Sequence, residues 1–204
     1  MPKLYDFLSS GNGYKCRLLL HHLGIDYERV ELDILKGETR TPEFLAKNPN
    51  GKVPALELDD GTVLTESNAI LFYLADGTHF VPHGRVLRAQ VLQWLFFEQY
   101  SHEPFIAVAR FIHHFLPDDS PRRAELPRLE QGGRAALGVM EQRLATHPFL
   151  AADRYTIADI GLYAYTHVAG EGGFDLDDYP AVQAWLGRVA AQPGHIAIDA
   201  DPGH

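Results

Sequence analysis

Along the first part of the chain the hydrophobic positions change period repeatedly. Leu4-Tyr5-Asp6-Phe7 suits a short strand, closed by the turn formers Ser9-Ser10-Gly11-Asn12-Gly13. Cys16, Leu19, Leu20 and Leu23 then fall at i, i+3, i+4 and i+7, the spacing of one helix face, with Asn12 expected as the N-cap and Gly24 as the stop. Tyr27 to Leu32 alternates apolar and charged residues, which predicts a half-exposed second strand and hence a βαβ unit with a parallel pair. Thr41-Pro42-Glu43-Phe44-Leu45 reads as a capped short helix that stops before Asn48-Pro49-Asn50-Gly51. Val53 to Leu58, then Asp60-Gly61, then Val63-Leu64 predicts a hairpin with a two-residue turn. Glu66-Ser67-Asn68 opens a helix with Ile70, Tyr73 and Leu74 expected on one face.

Beyond about Arg85 the period is helical throughout. Val91, Leu95 and Phe96 begin a long amphipathic helix in which Pro104 predicts a kink or break. Leu137, Met140 and Leu144 mark another helix, and Pro180 followed by Val182, Trp185, Leu186 and Val189 a further one. Thr156-Ile157-Ala158-Asp159 has the form of a capping box, with the Thr hydroxyl and Asp carboxylate each reaching the other's backbone N–H. The fold class expected is α/β plus all-α: an N-terminal domain over residues 1–78, a linker over 79–85 overlapping the Gly- and Pro-containing stretch Asp76 to Gly84, and an all-helical domain over 86–204.

A length of 204 residues with 46% hydrophobic and 22% charged positions fits one large or two small domains with a real core. Uncharged apolar stretches such as Ala69 to Ala75 fall far below the roughly 20 residues that span a bilayer. No apolar run follows Lys3, so no secretory signal and no membrane association are expected, and the location expected is cytoplasmic. A net charge of −9 with scattered basic residues speaks against nucleic acid. A single cysteine, Cys16, forbids an intrachain disulfide and a Cys-x-x-Cys pair, and the paired histidines His21-His22 and His113-His114 lack metal-ligand spacing, so no metal is expected.

Asn-Pro-x-Gly-Lys-Val-Pro-Ala-Leu over Asn48 to Leu56, Leu-Thr-Glu-Ser-Asn-Ala-Ile over Leu64 to Ile70, the Thr-Ile-Ala-Asp box and Tyr-Pro-Ala-Val-x-x-Trp over Tyr179 to Trp185 together resemble the cytosolic glutathione transferase family. The resemblance spans essentially the whole chain. It implies a thioredoxin-like glutathione-binding domain with a cis-proline at Pro54, a helical bundle that contributes the electrophile pocket, glutathione as co-substrate without any other cofactor, and a two-fold homodimer. Phe72, on a helix with apolar residues on more than one side, is the expected interface residue.

Elementary chemistry gives these motifs roles. A helix opening at Ser67 offers free N–H groups to an α-carboxylate while Glu66 holds the neighbouring ammonium, the two ends of a γ-glutamyl head; the competing reading is a plain helix cap. Val53, extended before Pro54, exposes backbone to a cysteinyl unit, and Arg40, Asn50 or Lys52 meets the glycine carboxylate. A thiol with a pKa of about 8.5 is mostly protonated at neutral pH, so the thiolate must be stabilised. Ser10-Gly11-Asn12 resembles the Ser/Thr-x-Asn arrangement of bacterial glutathione transferases, which assigns that role to Ser10 first and Asn12 second, with Ser9 as a competing hydroxyl. Tyr5 reads as a packed strand aromatic and Cys16 as a buried thiol, against a redox reading. Tyr100, Glu103 and Arg110, around the Pro104 break, are candidates for the electrophile pocket, against a kinked helix with a solvated face.

The activity expected is transfer of glutathione to a small hydrophobic electrophile. The alternatives are disulfide reduction or peroxide removal at the same site, or a non-catalytic interaction protein of the same fold.

Overall fold

The structure is a computed structural model and describes residues 1–200. The chain forms two units, Met1–Asp76 joined by the chain from Pro193 onward, and Gly77–Gln192.

In the first unit, strands β1 (Lys3–Asp6), β2 (Glu28–Glu31), β3 (Ala55–Glu57) and β4 (Val63–Thr65) form a sheet in the order β2-β1-β3-β4. β1 and β2 are parallel, in register from Lys3 opposite Glu28 to Asp6 opposite Glu31, as the βαβ reading requires. β3 runs antiparallel to both β1 and β4, with Leu56 opposite Leu4 and Leu64. The β3–β4 connection is one residue longer than the two-residue turn expected. Gly61 N–H bonds Leu58 O at 2.9 Å and Leu58 N–H bonds Thr62 O at 2.8 Å, so Asp59-Asp60-Gly61 closes the hairpin, with Gly61 at a φ of 84°. That is a turn followed by a left-handed residue, a conformation glycine adopts without steric cost.

Helices α1 (Gly11–Leu23), α2 (Pro42–Lys47) and α3 (Ser67–Ala75) complete the unit. Leu4, Cys16, Leu20, Tyr27, Leu56 and Ile70 form its core. Gly24, at a φ of 62°, ends α1 as expected, and Thr41 Oγ1 caps α2 by accepting Phe44 N–H at 3.3 Å. On α3 the expected face is displaced. Ile70, Leu71 and Ala75 are the buried apolar positions, Leu74 and Phe72 are half-buried, and Tyr73 is exposed. Ser67, Ile70, Leu71 and Ala75 define the buried face of α3, and Tyr73 is turned away from it.

In the second unit, α4 (Arg85–Phe97) passes through a π-helical segment, Glu98–His102, into α5 (Glu103–Phe115), which carries Pro104 in its first turn. The break predicted at Pro104 is thus a local widening of the helix: the ring cannot continue regular i→i−4 bonding, and the π turn absorbs the mismatch. Trp94, rather than the expected Phe96, joins Val91 and Leu95 in the buried stripe, and Phe96 is 72% exposed. Helices α6 (Leu126–Leu144), α7 (Ile157–Thr166) and α8 (Pro180–Ala190) follow, with Leu137, Met140, Leu144, Val182, Trp185 and Val189 buried as the periodicity predicts and Leu186 half-buried. Thr156 and Asp159 form the expected reciprocal capping box at the start of α7.

Two stretches differ from the expected boundaries. Phe80 and Val81, inside the expected linker, are buried in the second unit, and Phe80 O accepts Ile157 N–H at 3.2 Å. Residues 193–200 belong to the first unit and pack on its α1: His22 Nδ1 lies 3.0 Å from Pro193 O and His21 Nδ1 2.7 Å from Gly194 O. Tyr14 Oη donates to Ile196 O at 2.7 Å, and Arg17 Nη1 to Ile198 O and Ala200 O at 2.9 Å each.

Candidate active site

The site is assembled from the starts of two helices. After β1 the chain turns through Ser10, whose N–H bonds Phe7 O at 2.7 Å. Ser10 Oγ accepts Gly13 N–H at 3.3 Å, so Ser10 and not Asn12 is the N-cap of α1. Asn12 lies inside the first turn, where a short polar side chain is free to reach across. The close approach of α1 to β1 explains Gly13: a Cβ there would sit 1.5 Å from Asp6 Oδ1.

Asn12 Oδ1 is held by two donors, Lys15 Nζ at 2.7 Å and Ser67 Oγ at 3.2 Å. Lys15 Nζ also donates to Ser67 Oγ at 3.3 Å. Lys15 is fully buried and Ser67 is buried at the first position of α3. These bonds bring Asn12, an expected thiolate donor, together with Ser67, an expected γ-glutamyl ligand.

Glu66 precedes α3 with a φ of 66°, a left-handed conformation that is uncommon for a residue with a Cβ and costs on the order of 1–3 kcal/mol. Its carboxylate makes no capping bond to the helix and is exposed, so the plain-cap reading of Glu66 does not hold. An outward carboxylate beside a helix start offers an acceptor for an ammonium and backbone donors for a carboxylate within one turn of chain.

Asn50 and Lys52 belong to a loop pinned by Asn48, whose Nδ2 donates to Lys52 O at 2.7 Å and whose Oδ1 accepts Asn50 N–H at 3.1 Å, while Arg40 ends a short 3-10 turn before α2. Arg40 Nη1 donates to Asn50 O at 3.0 Å, and its guanidinium lies against Gly51, where a Cβ would stand 2.4 Å from Nη1. The Val53–Pro54 peptide bond is cis, directly before β3.

The competing residues are otherwise engaged. Tyr5 donates its hydroxyl to Glu57 at 2.7 Å, Lys47 pairs with the same carboxylate at 2.7 Å, and burial and Glu57 raise the phenol's pKa. Cys16 is fully buried among leucines, and burial pushes its thiol pKa far up, which matches the buried-thiol reading. Ser9 is half-buried in the turn. In the helical unit, Tyr100 is 85% exposed on the π-helical segment, Glu103 is half-buried at the start of α5, and Arg110 is buried with Nε donating to Glu171 Oε2 at 2.7 Å. Among the described residues, no group of three or more His, Cys, Asp or Glu could hold a metal ion, and no helix is long and apolar enough to cross a membrane.

Lys15, Asp6 and Arg17 were not singled out by sequence. The apolar stripe of Cys16, Leu19 and Leu20 drew α1 as one-sided, whereas Tyr14, Lys15 and Arg17 are buried on its other sides. The i, i+3 spacing of Asn12 and Lys15 was the signal available for the first of them.

Two family models match the chain: the glutathione S-transferase N-terminal domain over residues 2–76 and the C-terminal domain over 94–193. Disulfide-bond oxidoreductase YfcG of Escherichia coli K12 is 34% identical over 200 residues, covering 95% of this chain and 92% of its own length. A crystal structure of glutathione S-transferase from Pseudomonas fluorescens Pf-5 superposes with a TM-score of 0.93 at 57% identity, covering 97% of this chain and 98% of that one. A glutathione transferase from Burkholderia graminis, solved with two glutathione molecules bound per subunit, matches with a TM-score of 0.82 at 30% identity over 95% of this chain and 85% of that one. With a thioredoxin-like unit followed by a helical one and both family models matched in order, the chain belongs to the glutathione S-transferase family.

Proposed function

We propose that this protein activates the thiol of glutathione for attack on a small hydrophobic electrophile, with Ser10 and Asn12 as the donors to the thiolate. The observation that carries the reading is the 3.2 Å bond between Asn12 and Ser67, which links the helix start suited to a thiolate with the helix start suited to a γ-glutamyl head. Ser10 Oγ uses a lone pair for Gly13 N–H and keeps its proton to donate to sulfur. The N-terminus of α1 adds a positive field, so the thiol loses its proton to solvent at a lower pH than in free glutathione. The thiolate then forms the S–C bond while the electron pair of the broken bond leaves with the displaced group. Glu66 and Ser67 hold the γ-glutamyl head, the backbone of Val53 before Pro54 pairs with the cysteinyl unit, and Arg40, Asn50 and Lys52 receive the glycine carboxylate. Tyr100, with Glu103 and Arg110 following it along the chain, supplies the electrophile side.

A second reading, disulfide reduction, is favoured by the name of the Escherichia coli relative. With its one cysteine buried, the protein can reduce a mixed disulfide only through substrate sulfur. One glutathione thiolate would attack the glutathionyl sulfur, the old S–S bond would break as glutathione disulfide forms, and the released thiolate would take a proton from water. Assays of the purified protein with glutathione against an aryl halide, a hydroperoxide and a mixed disulfide separate the two. Retention on immobilised glutathione tests the shared site: Glu66→Ala should weaken binding by about 1–3 kcal/mol, since a substrate ammonium loses its partner. Unchanged retention would overturn the glutathione reading.

A further inference from the structure

Lys15 is a fully buried cation in the first turns of α1, and neither the sequence motifs nor the proposed ligand set uses it. Burying an ammonium is costly unless its protons are bonded, and Lys is rarely found at zero exposure, so its place needs a reason. Its partners supply one. Nζ donates to Asn12 Oδ1 at 2.7 Å and to Ser67 Oγ at 3.3 Å, and the Ser67 hydroxyl itself donates to Asn12 Oδ1 at 3.2 Å. A lysine ammonium only donates, so the carboxamide atom facing it must be the oxygen, and the planar amide then carries its NH2 group on the side away from Lys15. A 180° flip of Asn12 would set two donors against each other.

We propose that Lys15 is the positioning residue of the thiolate site: it fixes the Asn12 carboxamide in the orientation that offers NH2 to sulfur, and its charge favours the ionised thiol through that amide. The role rests on the glutathione reading above and deepens it. Any atom accepting from the Asn12 NH2 lies within about 8 Å of Nζ, inside one Debye length and behind buried protein, where screening is weak. The same ammonium ties Asn12 to Ser67, so a γ-glutamyl group docking at the start of α3 meets a thiolate donor already oriented. Lys15 does not touch sulfur. It acts by holding a group that does.

The test is the titration of bound glutathione, followed by the ultraviolet absorbance of its thiolate, in the unaltered protein, Lys15→Met and Lys15→Gln. Binding of S-methylglutathione, which has no ionisable thiol, is measured beside it. Lys15→Met should raise the thiol midpoint by about one unit, a tenfold smaller ratio of thiolate to thiol at any given pH. Its S-methylglutathione affinity should change less than about threefold, because Ser67 and Glu66 remain. Lys15→Gln keeps a donor without the charge and should recover part of the shift; if the methionine variant does not fold, the same criterion applies to Gln. A midpoint unmoved in a folded variant that still binds glutathione would overturn the role of Lys15 alone. Equal loss of S-methylglutathione and glutathione binding with an unmoved midpoint would make Lys15 merely structural and overturn it too. No binding of either ligand by the unaltered protein would instead refute the glutathione reading, and with it this role.

Discussion

Asp6 in the first unit and Asp159 in the second are both fully buried, yet they are held in opposite ways. Asp159 accepts only from neutral donors close to it in chain or fold: Leu150 N–H and Trp185 Nε1 on Oδ1, at 3.0 and 2.9 Å, and Thr156 N–H and Oγ1 on Oδ2, at 3.0 and 3.2 Å. Asp6 faces a cation. Arg17 Nε meets its Oδ2 at 2.8 Å, while Oδ1 lies against Gly13. The remaining donors of Arg17 reach Leu8 O at 2.6 Å and the carbonyls of Ile198 and Ala200. One carboxyl therefore closes a local turn and anchors α8 to it through Trp185. The other is the inner end of a chain of contacts running from β1 through α1 to the last described residues. A buried carboxyl satisfied by neutral donors organises its own neighbourhood; one balanced by a guanidinium recruits whatever the other guanidinium protons can reach.

Three measurements sharpen or break this contrast. The largest effect is expected for Asp159→Ala, which orphans two buried backbone N–H groups and the Trp185 indole N–H. At about 1–3 kcal/mol per unsatisfied donor, partly relieved by relaxation, the loss should be about 4 kcal/mol, read from urea midpoints. Near-parental stability would mean that the capping box is dispensable. Arg17→Met comes next, at about 3 kcal/mol at pH 7, because the Asp6 charge is left buried without its partner. That loss should shrink at pH 5, where Asp6 escapes by taking a proton, whereas the Asp159→Ala loss should persist because its cause is unpaired N–H groups. Protease sensitivity of the chain after Gln192 should rise in Arg17→Met and stay unchanged in Asp159→Ala.

The smallest effect is in the pH profile itself. Burial pushes both carboxyls up from 3.8 to about 6, against the pull of Arg17 in one case and of the four hydrogen bonds in the other. In the unfolded chain they ionise near 3.8, so between about 4 and 6 the folded chain binds more protons. Each carboxyl thus contributes stability that is present below that window and lost as pH rises through it. Asp6→Asn and Asp159→Asn should each flatten the decline of stability between pH 4 and 7 relative to the parent. A steeper decline in either variant would reverse the sign assigned here.

The two aspartates also mark what was legible in the sequence. Asp159 was readable because its first partner is three residues away in a capping pattern, and local patterns survive without knowledge of the fold. The same holds for the Gly24 stop, the Thr41 cap and the buried stripes of α6 and α8. Asp6 and Arg17 carried no such mark, since their meeting depends on how β1 packs against α1 and on a segment more than 180 residues distant from Arg17. Lys15 was hidden for a related reason: a lysine on a helix reads as a solvated position until α3 covers it. Ser10 and Asn12 stand out together in the sequence, but the cap falls on Ser10 rather than on the expected Asn12, because both residue types are good caps and only the turn after Phe7 decides between them. Phe96 and Tyr73 entered the expected stripes on hydrophobicity alone, although helical geometry turns both toward solvent.

The return of the chain to α1 also sets an order on biosynthesis. Residues 1–76 hold every strand of the sheet, yet when they leave the ribosome the phenol of Tyr14 and a guanidinium nitrogen of Arg17 still lack their carbonyl partners, which belong to Ile196, Ile198 and Ala200. The first unit is therefore finished last, after the whole helical unit has been translated. A fragment expressed to Asp76 alone would carry the complete sheet and an incomplete α1, with a buried arginine left to water.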